Sequence, residues 1–457
     1  MRNRFFMTAA TAAALVLTCG SALASEAENK GVEVIASDSS ETGYTANFTY
    51  ADDKATNVRL NGSFMFYEKD DIHFFSGGFA TDKMTGYNSG VESTDSDWFA
   101  SSRDWFITPQ DWHKGADLYH IGDSFYTTDM TYDETAQAWV ASLDLPCASY
   151  LYQYQVSYDN GATWESITDP NNLPYVNSLG ANQARSQFFV PFDAQKQDPE
   201  DDWTWLFPEE DPNARGTVEY MTYESTIAPD SPLMVYTPAG YDANREEPYK
   251  VLYLSHGGGG EVADWFHQAN LANILDRLMA DGTCEEFLAV TMDNSAFAWD
   301  YDQIYDNFIN HIIPLVEEKY NVSTESEGRA LVGLSMGGRV ANQMLYHDPS
   351  LFAYLGIWSA SEPYACPELD DYSAYNYPNI FLAAGFADPW LARGYAGHPE
   401  TFYHAEGDNT MLGIAEKFDE IGVTYNDGNG IYVVDGSHDW FNWPQVLREY
   451  ATNVLWK

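Results

Sequence analysis

One serine of the chain lies between two glycines in a pattern that could support nucleophilic chemistry. Ser335 follows Gly333 and precedes Gly337, which gives the sequence G-x-S-x-G. An apolar run, 330–332, predicts a buried strand before this pattern, and residues 339–346 predict a helix after it. A serine on a tight turn from strand to helix is typical of a nucleophile elbow, where glycines let the two elements approach closely. The pattern favours a reactive serine, and the alternative is a turn with only a structural role.

A serine hydroxyl attacks only when a base takes its proton, and that base needs an acid to orient it. Asp388 comes just after the predicted strand 379–384, and His438 comes just after the last predicted strand, 431–434. Both follow Ser335 in the chain, in the order serine, acid, histidine that α/β-hydrolases use. We therefore predict a catalytic triad of serine, aspartate and histidine.

Other carboxylates compete for the role of the acid: Glu406, Asp408, Asp435 and Asp439. The last two flank His438 directly, and immediate neighbours in the chain cannot easily turn back towards its ring. An acid on the loop after the penultimate strand approaches the Nδ1 atom from the correct side. Asp388 is therefore the predicted acid.

The donors for a developing oxyanion are predicted on a glycine-rich loop. The strand 250–255 runs into His256 and the four glycines 257–260, whose bare backbone lets N–H groups come close to a tetrahedral oxygen. We predict the N–H groups of Gly258 and Met336 as the pair, because Met336 begins the helix after the serine. A phosphate-binding loop would end in Gly-Lys-Ser/Thr, which is absent here. His256 is predicted to be a structural hydrogen-bonding group and not a second base.

Alternating strands and helices from residue 216 onward must position these groups. The predicted strands are 217–225, 233–236, 250–255, 287–292, 330–332, 353–358, 379–384 and 431–434. The predicted helices are 266–279, 304–320, 339–346, 411–421 and 443–455. Continuous apolar strands between helices indicate an α/β fold with a mostly parallel sheet, opened by one antiparallel pair and covered on both faces. Ligands bind outside the carboxyl ends of such strands, where the predicted site residues fall.

The chain before this domain has a different pattern. Short alternating runs separated by turns predict an antiparallel β-sandwich over 44–192. A polar leader, 25–43, is predicted to be disordered, and an acidic, proline-bearing segment, 193–215, is predicted to be a linker lying along the second domain.

Within the sandwich, the run 138–158 and the turn Asp169-Pro170-Asn171-Asn172 resemble the early-set module found beside glycogen-branching enzymes and some esterases. The resemblance implies a carbohydrate-binding-like domain that either binds glucan or xylan or only buttresses the catalytic domain. An insertion, 77–130, carries three regularly spaced tryptophans, Trp98, Trp105 and Trp112. They form either a stacking platform for a sugar chain or a small hydrophobic cluster under a long loop.

The composition limits the partners. The chain has 69 acidic and 22 basic residues and a formal charge of −47, which would repel nucleic acid and anionic membranes. A neutral polysaccharide remains possible, although the charge also suits simple solubility. No His, Cys or carboxylate cluster has metal-ligand spacing, and neither a metal nor a cofactor is expected. A monomer is expected.

The first 24 residues have the pattern of a signal peptide, with a basic start, an apolar core and the small-residue cleavage site Ala22-Leu23-Ala24. The mature protein is therefore expected to be secreted, with no membrane span. Cys19 permits an alternative, a lipoprotein, but bulky residues precede it. The remaining cysteines, Cys147, Cys284 and Cys366, are odd in number and are expected to be buried free thiols.

Several segments together resemble the esterase D and feruloyl esterase group of carbohydrate esterases: 235–241, 251–260, 313–314, 333–338 and 436–440. The likeness spans nearly all of 216–457 and implies an α/β-hydrolase that cleaves ester bonds with Ser335, Asp388 and His438. The expected function is a secreted serine esterase that releases feruloyl or other hydroxycinnamoyl groups from acylated plant polysaccharide such as arabinoxylan.

Four tryptophans near the motifs either line an aromatic acyl pocket or belong to the core: Trp265, Trp299, Trp390 and Trp440. The alternatives in function are an acetyl-xylan esterase, a siderophore esterase of the enterochelin type, and a non-catalytic glycan-binding protein. The residues do not determine which acyl group and which glycan are used.

Overall fold

The computed structural model describes residues 31–68, 73–75, 78–80, 108–118, 126–361, 378–385, 388, 390–391, 410–434, 436 and 438–457. Several predictions fall outside these residues: the signal peptide, leader residues 25–30, Cys19, Trp98, Trp105, Cys366, Glu406, Asp408 and Asp435. In the described part of the chain, no helix is both long and apolar enough to cross a membrane.

The first part of the chain forms antiparallel sheets. Its strands are β1 Val32–Ala36, β2 Tyr44–Tyr50, β3 Asn57–Gly62, β4 Phe66–Glu68, β5 His73–Phe75, β6 Gly78–Ala80, β7 Ala116–Leu118, β8 Tyr126–Asp129, β9 Thr131–Asp133, β10 Ala138–Asp144, β11 Ala148–Ser157, β12 Glu165–Ile167 and β13 Ser186–Val190. One sheet has the order β1-β2-β10-β9, and the second has the order β12-β11-β3-β8 with β13 also paired to β11. Two short pairs, β4-β7 and β5-β6, accompany them. A short helix, α1 Tyr175–Leu179, precedes β13.

The two larger sheets face each other across one apolar core. Phe48 of the first sheet is fully buried, and its ring meets Tyr152 at 5.4 Å and Phe188 at 5.3 Å between ring centroids. Both partners belong to the second sheet, so aromatic edge-to-face contacts join the layers. The predicted antiparallel domain is therefore present, and its assignment to the early-set, glycogen-branching-enzyme type stays a prediction.

The predicted disorder of the leader is wrong for residues 31–43. β1 pairs with β2 in antiparallel register, with Val32 opposite Phe48, and Val32 is buried. The side chains of Ser40 and Thr42 both donate to the carbonyl of Tyr44, which closes the turn between the strands. The β-branched residues of β1, Val32, Val34 and Ile35, form too short a run between polar segments to have been recognised as a strand.

Trp112 and two of the cysteines are buried in the described structure. The Trp112 side chain is buried in the same core cluster as Phe48, which favours the hydrophobic-cluster interpretation over a sugar-stacking platform at this position. Cys147 and Cys284 are buried free thiols, as expected.

The second part contains an eight-stranded mixed sheet. Its strands are β14 Thr217–Tyr223, β15 Ser231–Thr237, β16 Lys250–Ser255, β17 Phe287–Met292, β18 Arg329–Leu334, β19 Tyr354–Trp358, β20 Asn379–Gly385 and β21 Tyr432–Val434. The order is β14-β15-β17-β16-β18-β19-β20-β21, with β14-β15 and β15-β17 antiparallel and every later pair parallel. The carboxyl ends of the six parallel strands therefore share one edge, and the predicted mostly parallel sheet is confirmed.

Helices cover both faces of this sheet, with a separate apolar cluster on each side. They are α2 Asp264–His267, α3 Leu271–Ala280, α4 Tyr301–Asn307, α5 Ile313–Lys319, α6 Met336–His347, α7 Met411–Ile421 and α8 Asn442–Glu449. A π-helical turn, Phe308–Ile312, joins α4 to α5, and another, Tyr450–Val454, extends α8.

The single helix predicted over 266–279 is wrong, because the chain breaks between α2 and α3. Asn270 has a left-handed backbone with φ +57°, and its side-chain amide donates to the Ser149 hydroxyl of the first domain at 3.2 Å. A contact between domains thus overrides a continuous helical pattern.

The segment between the domains packs against α3. The Arg277 guanidinium donates to the carbonyls of Phe207 and Pro208 at 2.7 and 3.0 Å, and the Asn273 amide donates to Leu206 O at 2.9 Å. These contacts hold 206–208 along the second domain. The domain boundaries drawn from the sequence stay predictions.

Candidate active site

Ser335 occupies a strained turn between β18 and α6. Its backbone has φ +54° and ψ −119°, a conformation that is costly for a residue with a Cβ atom and that is characteristic of functional turns. A Cβ on Gly337 would collide with the carbonyls of Ser255 and His256, and one on Gly333 would collide with the carbonyl of Gly337. Both glycines are therefore needed for strand and helix to meet this closely. The tight strand-to-helix turn expected at this serine is present.

His438 and Asp388 form a hydrogen-bonded pair. Nδ1 of His438 lies 3.1 Å from each carboxylate oxygen of Asp388, and the carboxylate is 1% exposed. Because a carboxylate only accepts, Nδ1 carries the proton and Nε2 is the nitrogen left for proton transfer. The backbone N–H of Trp390 donates to the same carboxylate at 2.8 Å and helps to fix its orientation.

A cavity of about 680 Å³ opens at this edge of the sheet. Ser335, His438 and the glycine loop 257–260 line it, whereas Asp388 lies behind the imidazole. The structure thus brings the predicted nucleophile, base and oxyanion loop to one open cavity. Nucleophile, base and acid come from three separate strand ends, which is the usual position of active sites in such sheets.

The two predicted oxyanion donors are neighbours. A Cβ built on Gly258 would lie 3.2 Å from the Cγ of Met336, so the glycine loop runs directly beside the start of α6. Met336 is the first residue of that helix, where backbone N–H groups have no partner within the helix. This pairing permits two backbone donors to converge on one oxygen near Ser335.

His256 is fully buried beneath the glycine loop. Its Nδ1 donates to the Gly257 carbonyl at 2.7 Å, and its Nε2 contacts an oxygen of Asp293 at 3.2 Å. Burial lowers the pKa of the imidazole, but the hydrogen bonds to Asp293 and Gly257 outweigh it and raise the pKa above its usual value. These contacts agree with the predicted structural role of His256.

The four candidate pocket tryptophans have different surroundings. Trp265 is fully buried and meets Trp358 and Trp440 edge to face at 5.9 and 5.3 Å between ring centroids, so of the two roles considered for it, pocket wall or core, it has the core role. Trp440 is partly buried and lines the cavity. Trp299 lies 5.9 Å from the His256 ring, and Trp390 lies under the guanidinium of Arg339 at 5.8 Å. The described lining of the cavity does not include these last two rings.

Asp439, another acid considered for the triad, binds backbone N–H groups instead. One of its oxygens accepts from the backbone N–H groups of Phe441 and Asn442 at 3.0 and 3.2 Å, at the start of α8. The carboxyl is almost fully buried, and burial raises its pKa to about 7. Of the described acids considered for the triad, Asp388 is therefore the one that contacts the Nδ1 atom of His438.

The first domain forms part of the cavity wall, which sequence reasoning missed. The lining includes four residues of this domain and one tryptophan of the segment between the domains: Ser149, Asn182, Gln183, Arg185 and Trp203. No motif marks these positions. Their contribution depends on how the domains pack, which local patterns do not reveal.

In the described residues, no group of three or more His, Cys, Asp or Glu side chains is placed to hold a metal ion.

Comparison with known proteins agrees with this geometry. Residues 225–450 match the model of the family described as "Putative esterase". This match spans just under half of the chain, and it shows that residues 225–450 are similar to that esterase family.

Two curated relatives are named as xylanases, one of them also as a feruloyl esterase. An "Endo-1,4-beta-xylanase/feruloyl esterase" of Xylanibacter ruminicola is 27% identical over 330 residues, which is 69% of this chain. "Endo-1,4-beta-xylanase Y" of Acetivibrio thermocellus is 36% identical over 117 residues, or 23% of this chain. The alignments span 40% of the first relative and 11% of the second.

Similar solved structures include a ferulic acid esterase from Anaeromyces mucronatus, which is 19% identical and has a TM-score of 0.43. That alignment covers 55% of this chain and 94% of the fungal one. The enterobactin esterase of Shigella flexneri is 13% identical, with a TM-score of 0.49 over 94% of this chain and 97% of its own.

Proposed function

We propose that the protein is a secreted serine esterase that hydrolyses feruloyl or related hydroxycinnamoyl esters on plant cell-wall polysaccharide such as arabinoxylan. The observation that carries the proposal is the pairing of His438 with the buried Asp388 in a cavity that also exposes the strained Ser335. The name of the Xylanibacter ruminicola relative, which joins a xylanase to a feruloyl esterase, supports the choice of substrate.

The proposed mechanism begins with Ser335. Its hydroxyl oxygen attacks the ester carbonyl while Nε2 of His438 takes the hydroxyl proton, and Asp388 stabilises the imidazolium that forms. The N–H groups of Gly258 and Met336 bind the negatively charged oxygen of the tetrahedral intermediate. The carbon–oxygen bond to the sugar then breaks, and the leaving alcohol receives the proton from His438.

Water completes the cycle. His438 removes a proton from a water molecule, which attacks the acyl-serine through a second tetrahedral intermediate held by the same two amides. Collapse of this intermediate releases the acid and returns the proton to Ser335. Every proton is moved by one imidazole, which is consistent with the absence of a second described histidine from the cavity lining.

The substrate class follows from the cavity and the charge. A volume of about 680 Å³ lies within the range that suits a drug-sized ligand, and Trp440 offers an aromatic surface at its wall. A formal charge of −47 disfavours polyanionic substrates, and a neutral arabinoxylan carries no such penalty. Secretion, proposed from the pattern of the first 24 residues, would place the enzyme where plant polymers are found.

Hydrolysis of methyl ferulate and of 4-nitrophenyl acetate by the wild type and by Ser335→Ala tests the proposal. Release of ferulate that disappears in the variant is the expected result, and Ser350→Ala, an exposed serine outside the cavity lining, is the matched control. Acetate release without ferulate release would move the substrate to acetylated xylan. Activity on neither ester would contradict the proposed reaction.

A further inference from the structure

We infer that the first domain provides the binding subsite for the carbohydrate part of the substrate, on the loop 181–185. This inference rests on the proposed function and deepens it, because it assigns the sugar side of the ester to particular residues. Asn182 and Ala184 are exposed and line the cavity, with Gln183 and Arg185 beside them. Amide and guanidinium groups are donors suited to sugar hydroxyl groups.

The loop is held in one conformation by the helix before it. The Asn177 side chain accepts from the Gln183 N–H at 2.7 Å and donates to the Gln183 carbonyl at 2.9 Å. The N–H of Ala181 donates to the Val176 carbonyl at 3.2 Å, where Gly180 ends α1 in a left-handed conformation. A loop whose backbone is fixed in this way loses little entropy when a ligand binds.

The loop is also joined to the catalytic domain. The Gln183 amide donates to one oxygen of Asp264 at 2.9 Å, and the other oxygen accepts from the Glu261 N–H at 2.8 Å. Glu261 directly follows the glycine loop, so one buried carboxylate joins this loop to the predicted oxyanion donors. His267 donates to the Arg185 carbonyl at 2.7 Å and adds a second link. The first domain is thus a fixed wall of the cavity and not a separate module on a flexible linker.

The position of His438 indicates that this wall faces the leaving alcohol. The base that protonates the leaving group must lie on the alcohol side of the scissile bond. Three residues after His438, Phe441 packs on Trp203 at 4.6 Å between ring centroids and joins the core cluster of the first domain. Because His438, Phe441 and the loop 181–185 line the same cavity, the sugar that leaves towards His438 enters a space that this loop borders.

Binding of an arabinoxylan oligosaccharide that carries no ester tests the subsite apart from catalysis. The oligosaccharide is titrated by calorimetry into the Ser335→Ala protein and into double variants that combine Ser335→Ala with one further substitution. Loss of one hydrogen bond in Asn182→Ala should weaken binding about five- to tenfold. Ala184→Trp should abolish binding, because the indole would occupy the cavity beside an exposed position. Asn171→Ala, an exposed asparagine of the same domain outside the cavity lining, is the matched control and should bind like the parent.

A second measurement compares kcat/KM for a feruloylated oligosaccharide with kcat/KM for methyl ferulate in the otherwise wild-type protein. The ratio should fall about five- to tenfold in Asn182→Ala and further in Ala184→Trp. An oligosaccharide that does not bind, or that binds all variants equally, overturns the subsite even if methyl ferulate is cleaved. Binding through Asn182 without cleavage of any ester would support the subsite and overturn the proposed reaction.

Discussion

Asp388 accepts from Nδ1 of His438 through both carboxylate oxygens, each at 3.1 Å, while its side chain is closed off from solvent. This geometry sets the tautomer of the imidazole, because only a protonated Nδ1 can donate to a carboxylate. Asp388→Asn would offer an amide group in its place and would favour the wrong tautomer. We expect kcat on 4-nitrophenyl acetate to fall about 10³- to 10⁴-fold, with the folded structure intact by circular dichroism. Activity within about tenfold of the wild type would show that another acid orients the histidine.

The buried Asp439 should make the stability of the folded protein depend on pH. Burial raises its pKa to about 7, so the folded protein holds a proton that the unfolded chain releases near pH 4. The carboxyl therefore favours the folded state most at low pH, and this contribution is lost as the pH rises from about 4 through about 7. Asp439→Asn stays neutral and keeps an oxygen for the N–H groups of Phe441 and Asn442. The free energy of unfolding of the variant should rise relative to the wild type between about pH 4 and pH 7. A constant difference across this range would contradict the raised pKa.

The parts of the fold that the sequence predicts well are those determined by local patterns. The predicted bounds of β16 and β17 agree with the structure to the residue, because both are short, largely apolar runs typical of buried strands. The sequence also predicts that Ser335, Asp388 and His438 act together. Each follows a strand of a parallel sheet, and their order in the chain is that of the α/β-hydrolase triad.

The parts that the sequence did not predict depend on contacts between distant segments. The break at Asn270 reflects a hydrogen bond to Ser149, 121 residues earlier in the chain. The wall formed by 181–185 likewise requires the packing of two domains, and no local period indicates that packing. The sequence also left Trp265 open between the pocket and the core, and only the packing of its side chain in the core decides between them.

Gly337 tests whether the close approach of β16 to the serine turn is essential. A Cβ at this position would overlap the backbone carbonyls of Ser255 and His256, which cannot move without shifting the strand. Gly337→Ala should therefore destabilise the protein by about 3 kcal/mol in urea unfolding and remove esterase activity. Gly422→Ala is the control, since its Cβ would meet open space and only its φ of +74° is unfavourable. It should cost about 1 kcal/mol and leave the cavity unaffected.

Phe441 links the histidine loop to the first domain. Its ring is 7% exposed and packs against Trp203, within the core cluster that also contains Phe48 and Tyr152. Phe441→Ala should reduce the free energy of unfolding by about 3 kcal/mol, because it leaves a cavity between the domains. It should also lower kcat, since His438 is three residues away. Phe441→Leu should retain most of both quantities, because it keeps much of the apolar volume. Losses as large as those of Phe441→Ala would contradict the cavity as the cause.

The contact between buried His256 and half-buried Asp293 predicts a pH-dependent effect on the glycine loop. Burial lowers the pKa of His256, but its contacts with Asp293 and Gly257 outweigh this effect and raise the pKa. Burial raises the pKa of Asp293, but hydrogen bonds from His256 and Ser295 outweigh that effect and lower the pKa. The histidine therefore stabilises the fold below about pH 6.5 and loses this effect as the pH rises through its raised pKa. The aspartate acts in the opposite sense, stabilising above about pH 4 and losing its effect at lower pH.

Removing the charge of this pair should affect both stability and catalysis. In Asp293→Asn the protein should lose the stability that this pair contributes between about pH 4 and pH 7. The thermal unfolding midpoint across that range measures the loss. The Gly257 carbonyl would then be held less firmly, and kcat should fall about tenfold to a hundredfold with little change in KM, because the oxyanion donor Gly258 follows directly. Asp300→Asn is the control, since it removes an exposed carboxylate at the start of α4. A matching loss of kcat in that control would point to overall charge, and not to the position of the glycine loop, as the cause.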